Sequence, residues 1–206
     1  MKKILVILIS GVFFFLIACN DKKETETSDN TTTTPASTPV DAIIIMPTVA
    51  GNVDTVKKSL KAMAESAIGK TNLKINYHSP AVKGRVIWGG LVPFDHVWVT
   101  GAHRATSIET NTDVVISGKK LTAGKYALFS IPGKEEWTII INKKWDQHLA
   151  DEYDINDDLV RLVIKPEMMT KVQERLMYQV KADNNNNGAI EIFWEKIKLV
   201  VPLQVL

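Results

Sequence analysis

The run Tyr126-Ala127-Leu128-Phe129-Ser130-Ile131, closed by Pro132-Gly133 and followed by Trp137-Thr138-Ile139-Ile140-Ile141, decides the fold class of this 206-residue chain. Its first half alternates with the period of two that places successive side chains on opposite faces of a strand, and its second half is β-branched and aromatic. Pro132-Gly133 breaks the first strand, and the short connection to Trp137 suits a hairpin. Trp137 is expected in the core.

Working outward, the same texture recurs. Leu73-Lys74-Ile75-Asn76-Tyr77 alternates, Val114-Val115-Ile116 ends at Ser117-Gly118, and the apolar run 159–164 ends at Pro166. Runs 176–180 and 190–194 flank the tract 184–188, whose asparagines and glycine tolerate positive φ. Short strands at this spacing predict a mainly β protein, an antiparallel β-sandwich or barrel-like single domain. One segment is ambiguous. Val53, Val56, Leu60, Met63 and Ala67 recur at helical spacing behind Asn52, yet 62–68 also alternates and 69–72 can turn it back onto the Leu73 run, so 62–68 is read as a strand.

The N-terminus carries an address. Lys2 and Lys3 precede an apolar run from Ile4 that ends in Leu16-Ile17-Ala18-Cys19. It is shorter than the ~20 residues of a comfortable membrane span and has the charged, apolar, small-residue order of an export signal. It resembles a bacterial lipoprotein signal, which implies cleavage before Cys19 and a covalent lipid on that residue, the chain's single thiol. Residues 1–18 are then the signal and 19–39 a lipidated cysteine with a polar tether. The tether holds Thr31, Thr32, Thr33 and Thr34, has prolines at Pro35 and Pro39, and contains no aromatic or large apolar residue that could bury surface. Its flexible reach is about 25 Å. Lys22-Lys23-Glu24-Thr25-Glu26 resembles, loosely, the charged cluster behind the lipidated cysteine of surface lipoproteins in the Bacteroidota. The folded domain is expected over 40–206.

Charge and cysteine usage bound the chemistry. Of 25 basic residues Lys2 and Lys3 leave with the signal, so 23 basic face 23 acidic side chains. A balanced chain lacks the electrostatic term on which non-specific nucleic-acid binding rests, so nucleic acid is not an expected partner. With Cys19 consumed, no disulfide forms, and the 188 residues left after removing 18 from 206 must rely on an apolar core.

Seven ordered blocks carry a family resemblance: Tyr77-His78-Ser79-Pro80, Lys83-Gly84-Arg85, Gly89-Gly90-Leu91-Val92-Pro93-Phe94, Val97-Trp98-Val99-Thr100-Gly101-Ala102, Ala105-Thr106, the stretch 118–126, and Ile131-Pro132-Gly133 with Trp137. The chain resembles a bacterial exported family known as domain of unknown function 2911, with a core expected over about 60–205. The resemblance implies a β-rich exported domain, often lipid-anchored, without an established reaction. This chain departs from the family pattern twice, with Val99 where arginine is usual and His103 where asparagine is usual. If those two residues form a ligand site, it is altered here, with Arg104 as a displaced guanidinium.

The segment 98–109 concentrates functional chemistry: the aromatic Trp98, the permissive Gly101, then His103, Arg104, Thr106 and Glu109. With Arg85, these make Trp98, His103, Arg104 and Glu109 the candidate ligand-binding residues. The same residues also suit a structural reading, in which Trp98 packs in the core, Gly101 turns the chain, and Arg104 pairs with Glu109 or Asp113 at the surface. The four histidines, His78, His96, His103 and His148, show no metal-ligand spacing, and the acidic group 151–158 lacks the glycine and terminal glutamate of a calcium loop, so no metal or cofactor is expected. No serine occupies a nucleophile elbow. The expected function is a lipid-anchored envelope module binding a small molecule, glycan or envelope protein. The alternatives are a hydrolase-like enzyme using the His103 and Arg104 region, and a structural envelope component.

Overall fold

The computed structural model describes Ile43–Ile44, by backbone only, and residues 56–206. The signal, Cys19, the tether and Val53 lie outside the described residues. The deciding hairpin is present: β1 (Ile43–Ile44) opens the chain's strand order, and β7 (Gly124–Ile131) and β8 (Trp137–Asn142) pair antiparallel with Phe129 opposite Ile140 and Ile131 opposite Thr138. Leu128, Trp137, Ile139 and Ile141 point into the main core, whereas Ala127, Phe129 and Ile140 point to a smaller cluster on the other face. Apolar contacts on both faces explain why this hairpin reads as nearly continuous hydrophobic sequence.

The ambiguous segment is a strand. β2 (Leu60–Ile68) pairs over its whole length with β3 (Thr71–Ser79), from Leu60 opposite Ser79 to Ile68 opposite Thr71. Cross-strand pairing and burial of Ala64 and Ile68 override the helical preference of its alanine, lysine, glutamate and methionine. The intervening turn, Gly69 with Lys70, requires glycine twice over. Its φ is +59°, and a Cβ there would lie 2.3 Å from the carbonyl oxygen of Asn185.

β4 (Thr106–Thr110) lies between β3 and β7, and β9 (Asp158–Ile164) forms the far edge, giving a seven-stranded antiparallel sheet ordered β1-β2-β3-β4-β7-β8-β9. β5 (Val114–Ile116) and β6 (Lys119–Leu121) join through Ser117 and Gly118, both with positive φ, as a two-residue hairpin requires. With the long hairpin of β10 (Glu167–Ala182) and β11 (Asn187–Val205) they make a four-stranded sheet ordered β10-β11-β5-β6. The two sheets enclose one core, to which Leu73, Ile75, Ile108 and Leu128 contribute from one side and Leu176, Tyr178, Ile190 and Val201 from the other. The domain is thus a sandwich. The chain passes between sheets at Pro80: Leu176 donates to the Pro80 carbonyl at 3.0 Å and Val82 donates to that of Glu174 at 2.8 Å, extending β3 onto the edge of β10.

Candidate functional site

Where β4 should continue alongside β7, the chain leaves the sheet and returns. Trp98 and Ser130 exchange backbone hydrogen bonds of 2.8 and 2.9 Å, and Thr106 re-enters opposite Leu128. The turn between them is bolted from beneath. The Thr100 carbonyl accepts from the Tyr178 hydroxyl at 2.6 Å and from Thr106 Oγ1 at 3.0 Å, while Thr100 Oγ1 donates to Ser130 Oγ at 2.9 Å. Burial pushes the Tyr178 phenol far above its ordinary pKa, so it remains a donor at any physiological pH. Gly101 fits because a Cβ would come within 2.8 Å of Thr106 Oγ1.

These bonds hold unusual backbone. Thr100 has φ +49° and His103 φ +66°. Positive φ is a true outlier for a β-branched residue, and such positions cost about 1–3 kcal/mol each. At His103 the conformation is one that asparagine adopts readily. An asparagine at this place therefore needs no ligand to explain it.

The turn displays His103 and Arg104. The His103 ring meets that of His78 edge-on, with centroids 5.2 Å apart, and Arg104 forms a surface ion pair with Asp146. The turn is stitched to the segment after β8 by Leu149 N–H to the His103 carbonyl at 3.1 Å and Ala105 N–H to that of Gln147 at 3.0 Å. In the same segment His148 Nδ1 lies 3.1 Å from Asp151 Oδ2. Three imidazoles, a guanidinium and two carboxylates are thus carried by β3, this turn and the segment after β8.

His78 has its pKa lowered, first by burial and then by the charges of His103, Lys61 and Arg104. In the folded state it binds fewer protons than an unfolded histidine, so its share of stability is present in full above the unfolded value of ~6.5. That share is lost as the pH falls from there through the folded value. His78→Gln is expected to flatten the acid limb of a stability profile recorded from about pH 7 to about pH 5. An acid limb as steep in the variant as in wild type would assign the titration elsewhere.

The other candidates sit apart from this cluster. Glu109 lies on β4 in register between Lys74 and Lys125, exposed. Arg85 donates to the carbonyls of Ala81 and Val82. Among the described residues no hydrogen bond or ion pair joins either to the His103–Arg104 turn. The partner of Arg104 is Asp146, neither Glu109 nor Asp113, which pairs instead with Lys120 at 2.8 Å. A pairing across 42 positions leaves no mark in a sequence pattern.

Trp98 works inward. It stacks on Trp194 at 5.5 Å and 21°, meets Trp88 and Trp137 edge-on, and donates its Nε1–H to the Gly101 carbonyl at 3.1 Å. It positions the turn through ring and indole N–H alike. Trp88 and Trp194 have buried indole nitrogens without a conventional acceptor, and their rings lie edge-to-face at 5.5 Å and 85°, a geometry that offers N–H···π contact.

The acidic group 151–158 is structural. Asp154 accepts from the backbone N–H of Asn156 and caps a 3-10 turn at Ile155–Asp157. Asp158, with a nearly buried carboxylate, accepts from the Tyr153 hydroxyl at 2.6 Å, Arg161 at 2.6 Å and Asn142 Nδ2 at 2.8 Å. Burial and then the Asp158 carboxylate push the Tyr153 phenol up to about 12. Among the described residues no group of three or more His, Cys, Asp or Glu side chains is placed to hold a metal, and no helix is long and apolar enough to cross a membrane.

Residues 59–203 match the family described as "Protein of unknown function (DUF2911)". The chain belongs to this family. The matched region of this DUF2911 protein begins immediately before β2 and ends within β11, so it takes in the turn at 98–106 and both sheets except β1. Comparison with curated proteins and with solved structures gave no match.

Proposed function

We propose that this DUF2911 protein is a lipid-anchored module of the bacterial cell envelope that binds an oxygen-rich ligand, a carboxylate, phosphate or glycan on a small molecule or an envelope protein, at the His103–Arg104 turn without transforming it. The observation that carries this reading is the strained backbone at Thr100, held by buried hydrogen bonds in the turn that carries His103, since strain of this kind concentrates where a fold presents a functional group. Arginine's planar fork recognises paired oxygens, and the exposed Asp146 carboxylate now occupying it can be exchanged for that of a ligand. His103, edge-on to His78, adds a second hydrogen-bonding group to the turn.

A thermal-shift screen of glycans, carboxylates and nucleotides against wild type and the double variant H103A/R104A tests the reading. A ligand should raise the wild-type midpoint, by about 2.7 kcal/mol of stabilisation at a hundredfold excess over Kd. The variant should keep its fold and lose the shift. Turnover of a hit, abolished in the variant, would replace the binding module by an enzyme. A wild type that answers no ligand beside a destabilised variant would leave the turn a structural element only.

A further inference from the structure

In the segment that leads into β2 the described charged side chains, Lys57 and Lys58, are both cationic. A cavity of about 200 Å³ is lined by Lys57, Lys58, Lys83 and Arg85 together with Ser59, and among the described residues no carboxylate lines it. It is a built feature. Lys83 Nζ donates to the Val56 carbonyl, and Arg175 donates to the carbonyls of Ser79 at 2.8 Å, Val56 at 3.2 Å and Lys58 at 3.4 Å, fastening the entering segment to the crossing between sheets. Arg85 is held from behind by two carbonyls. Among the described residues the Glu174 carboxylate lies nearby and accepts from the Lys83 backbone N–H at 2.9 Å.

Directly after Arg85 the chain forms a tight hairpin with two kinds of side chain. Ile87 and Val92 are buried and root it in the core, while Val86 and Leu91, joined by a 3.0 Å backbone hydrogen bond, stand 74% and 46% exposed. Four cations around a cavity and two exposed aliphatic residues on an adjoining rigid hairpin match the two layers of a bilayer surface, phosphate outside and hydrocarbon beneath.

We infer that this cavity and hairpin form a membrane-docking surface that takes the phosphate groups of anionic lipid headgroups. The inference rests on the lipid-anchored reading: a chain held at the bilayer through Cys19 makes docking an intramolecular event at high effective concentration. Each cation near an anionic surface contributes about fivefold in partition, so Lys57 and Lys58 together account for about 25-fold. Docking lays this face on the lipid and fixes which surfaces of the sandwich remain open to a ligand.

The test uses the full chain carrying Cys19→Ser, so vesicle binding is measured without a lipid and does not depend on whether the native protein is acylated. Sedimentation with phosphatidylcholine vesicles is compared with sedimentation with vesicles of one part phosphatidylglycerol to two parts phosphatidylcholine. All variants share one N-terminal segment, which isolates the cations. The parent is expected to prefer the anionic vesicles, K57Q/K58Q to lose about 25-fold of that preference, and K57R/K58R to keep it. V86S/L91S should weaken binding to both vesicle types. A parent without preference, or a preference that survives K57Q/K58Q, overturns the inference. So does loss in K57R/K58R, which would mark a folding defect rather than a charge effect. Release from anionic vesicles by inorganic phosphate, where chloride of equal ionic strength releases nothing, would also overturn it and assign the cavity to a soluble phosphate compound.

Discussion

Trp137→Ala is expected to lower the stability of the domain by about 3–5 kcal/mol, the usual cost of deleting a buried large aromatic. Trp137 is 2% exposed and lies 4.7 Å from Trp88, ring to ring, and 6.4 Å from Trp98, within a group of four indoles completed by Trp194. The cavity left behind cannot close easily. Its walls belong to both sheets and to the hairpin carrying Trp88, and the backbone of Trp137 is pinned opposite Ile164 on β9. The loss corresponds to roughly 2–4 °C in Tm for each kcal/mol in a domain of this size. Urea denaturation with an unchanged m-value measures it directly. The control is Trp145→Ala, which removes an exposed ring and with it the contact to the Lys125 ammonium 3.8 Å above it, worth about 0.5–1 kcal/mol. Equal midpoints for wild type and Trp137→Ala would mean that this strand face does not pack as described.

The hairpin of Trp137 was legible because its β-branched and aromatic residues and the break at Pro132-Gly133 agree with the tertiary structure, even though apolar contacts on both faces leave β7 buried continuously from Ala127 to Ser130. The long hairpin was only half legible. The runs 176–180 and 190–194 mark its two strands, and the flanking strand expected to run on to Val205 is β11, but β10 begins at Glu167, nine residues before the run that marks it. The early part of β10 carries Lys171 and Glu174 with irregular register near Gln173, and Glu195 with Lys196 interrupts β11 before its alternation resumes from Ile197 to Val205, so the period of two is broken at the middle of the hairpin. β4 was hidden for the opposite reason. Thr106, Ser107 and Thr110 are polar yet buried in the centre of a sheet, and Ile108 is its single large apolar residue, so the sequence reads as the end of a polar loop. Glu109 looked like a neighbour of Arg104 for that reason alone.

The site divides in the same way. Segment 98–104 announces itself by composition, whereas its partners come from three other places in the chain: His78 from β3, Asp146 from the segment after β8, and Tyr178 from β10. Only the register of the sheets brings these together. The strain at Thr100 is likewise invisible in sequence, because threonine is the residue least suited to the backbone it adopts there. Gly69 is the contrasting case, a turn glycine legible from sequence whose second role, making room for Asn185, only the structure shows.

Cys19→Ser is expected to release the protein from the membrane fraction. One acyl chain gives only marginal, reversible binding, of the order of 10⁴ M⁻¹, while two or three chains hold firmly because each buried methylene adds about 0.8 kcal/mol. Serine offers no thiol to alkylate, and the apolar run before it is shorter than the ~20 residues of a span, so nothing of comparable strength replaces the lipid. The docking surface at Lys57 and Lys58 complicates the readout in a definite way, since a weak electrostatic hold on anionic lipid would survive the substitution. Raising the salt to about 1 M shortens the Debye length to about 3 Å and removes that hold without touching an acyl chain. Membranes washed at high salt should therefore retain the wild type and lose Cys19→Ser entirely, whereas at low salt a remnant of the variant should stay bound and vanish in the further variant K57Q/K58Q. Mass spectrometry of the native N-terminus supplies the independent check: a mature chain starting anywhere but at Cys19, or starting there without added mass, would end the lipoprotein reading while leaving the docking surface to its own test.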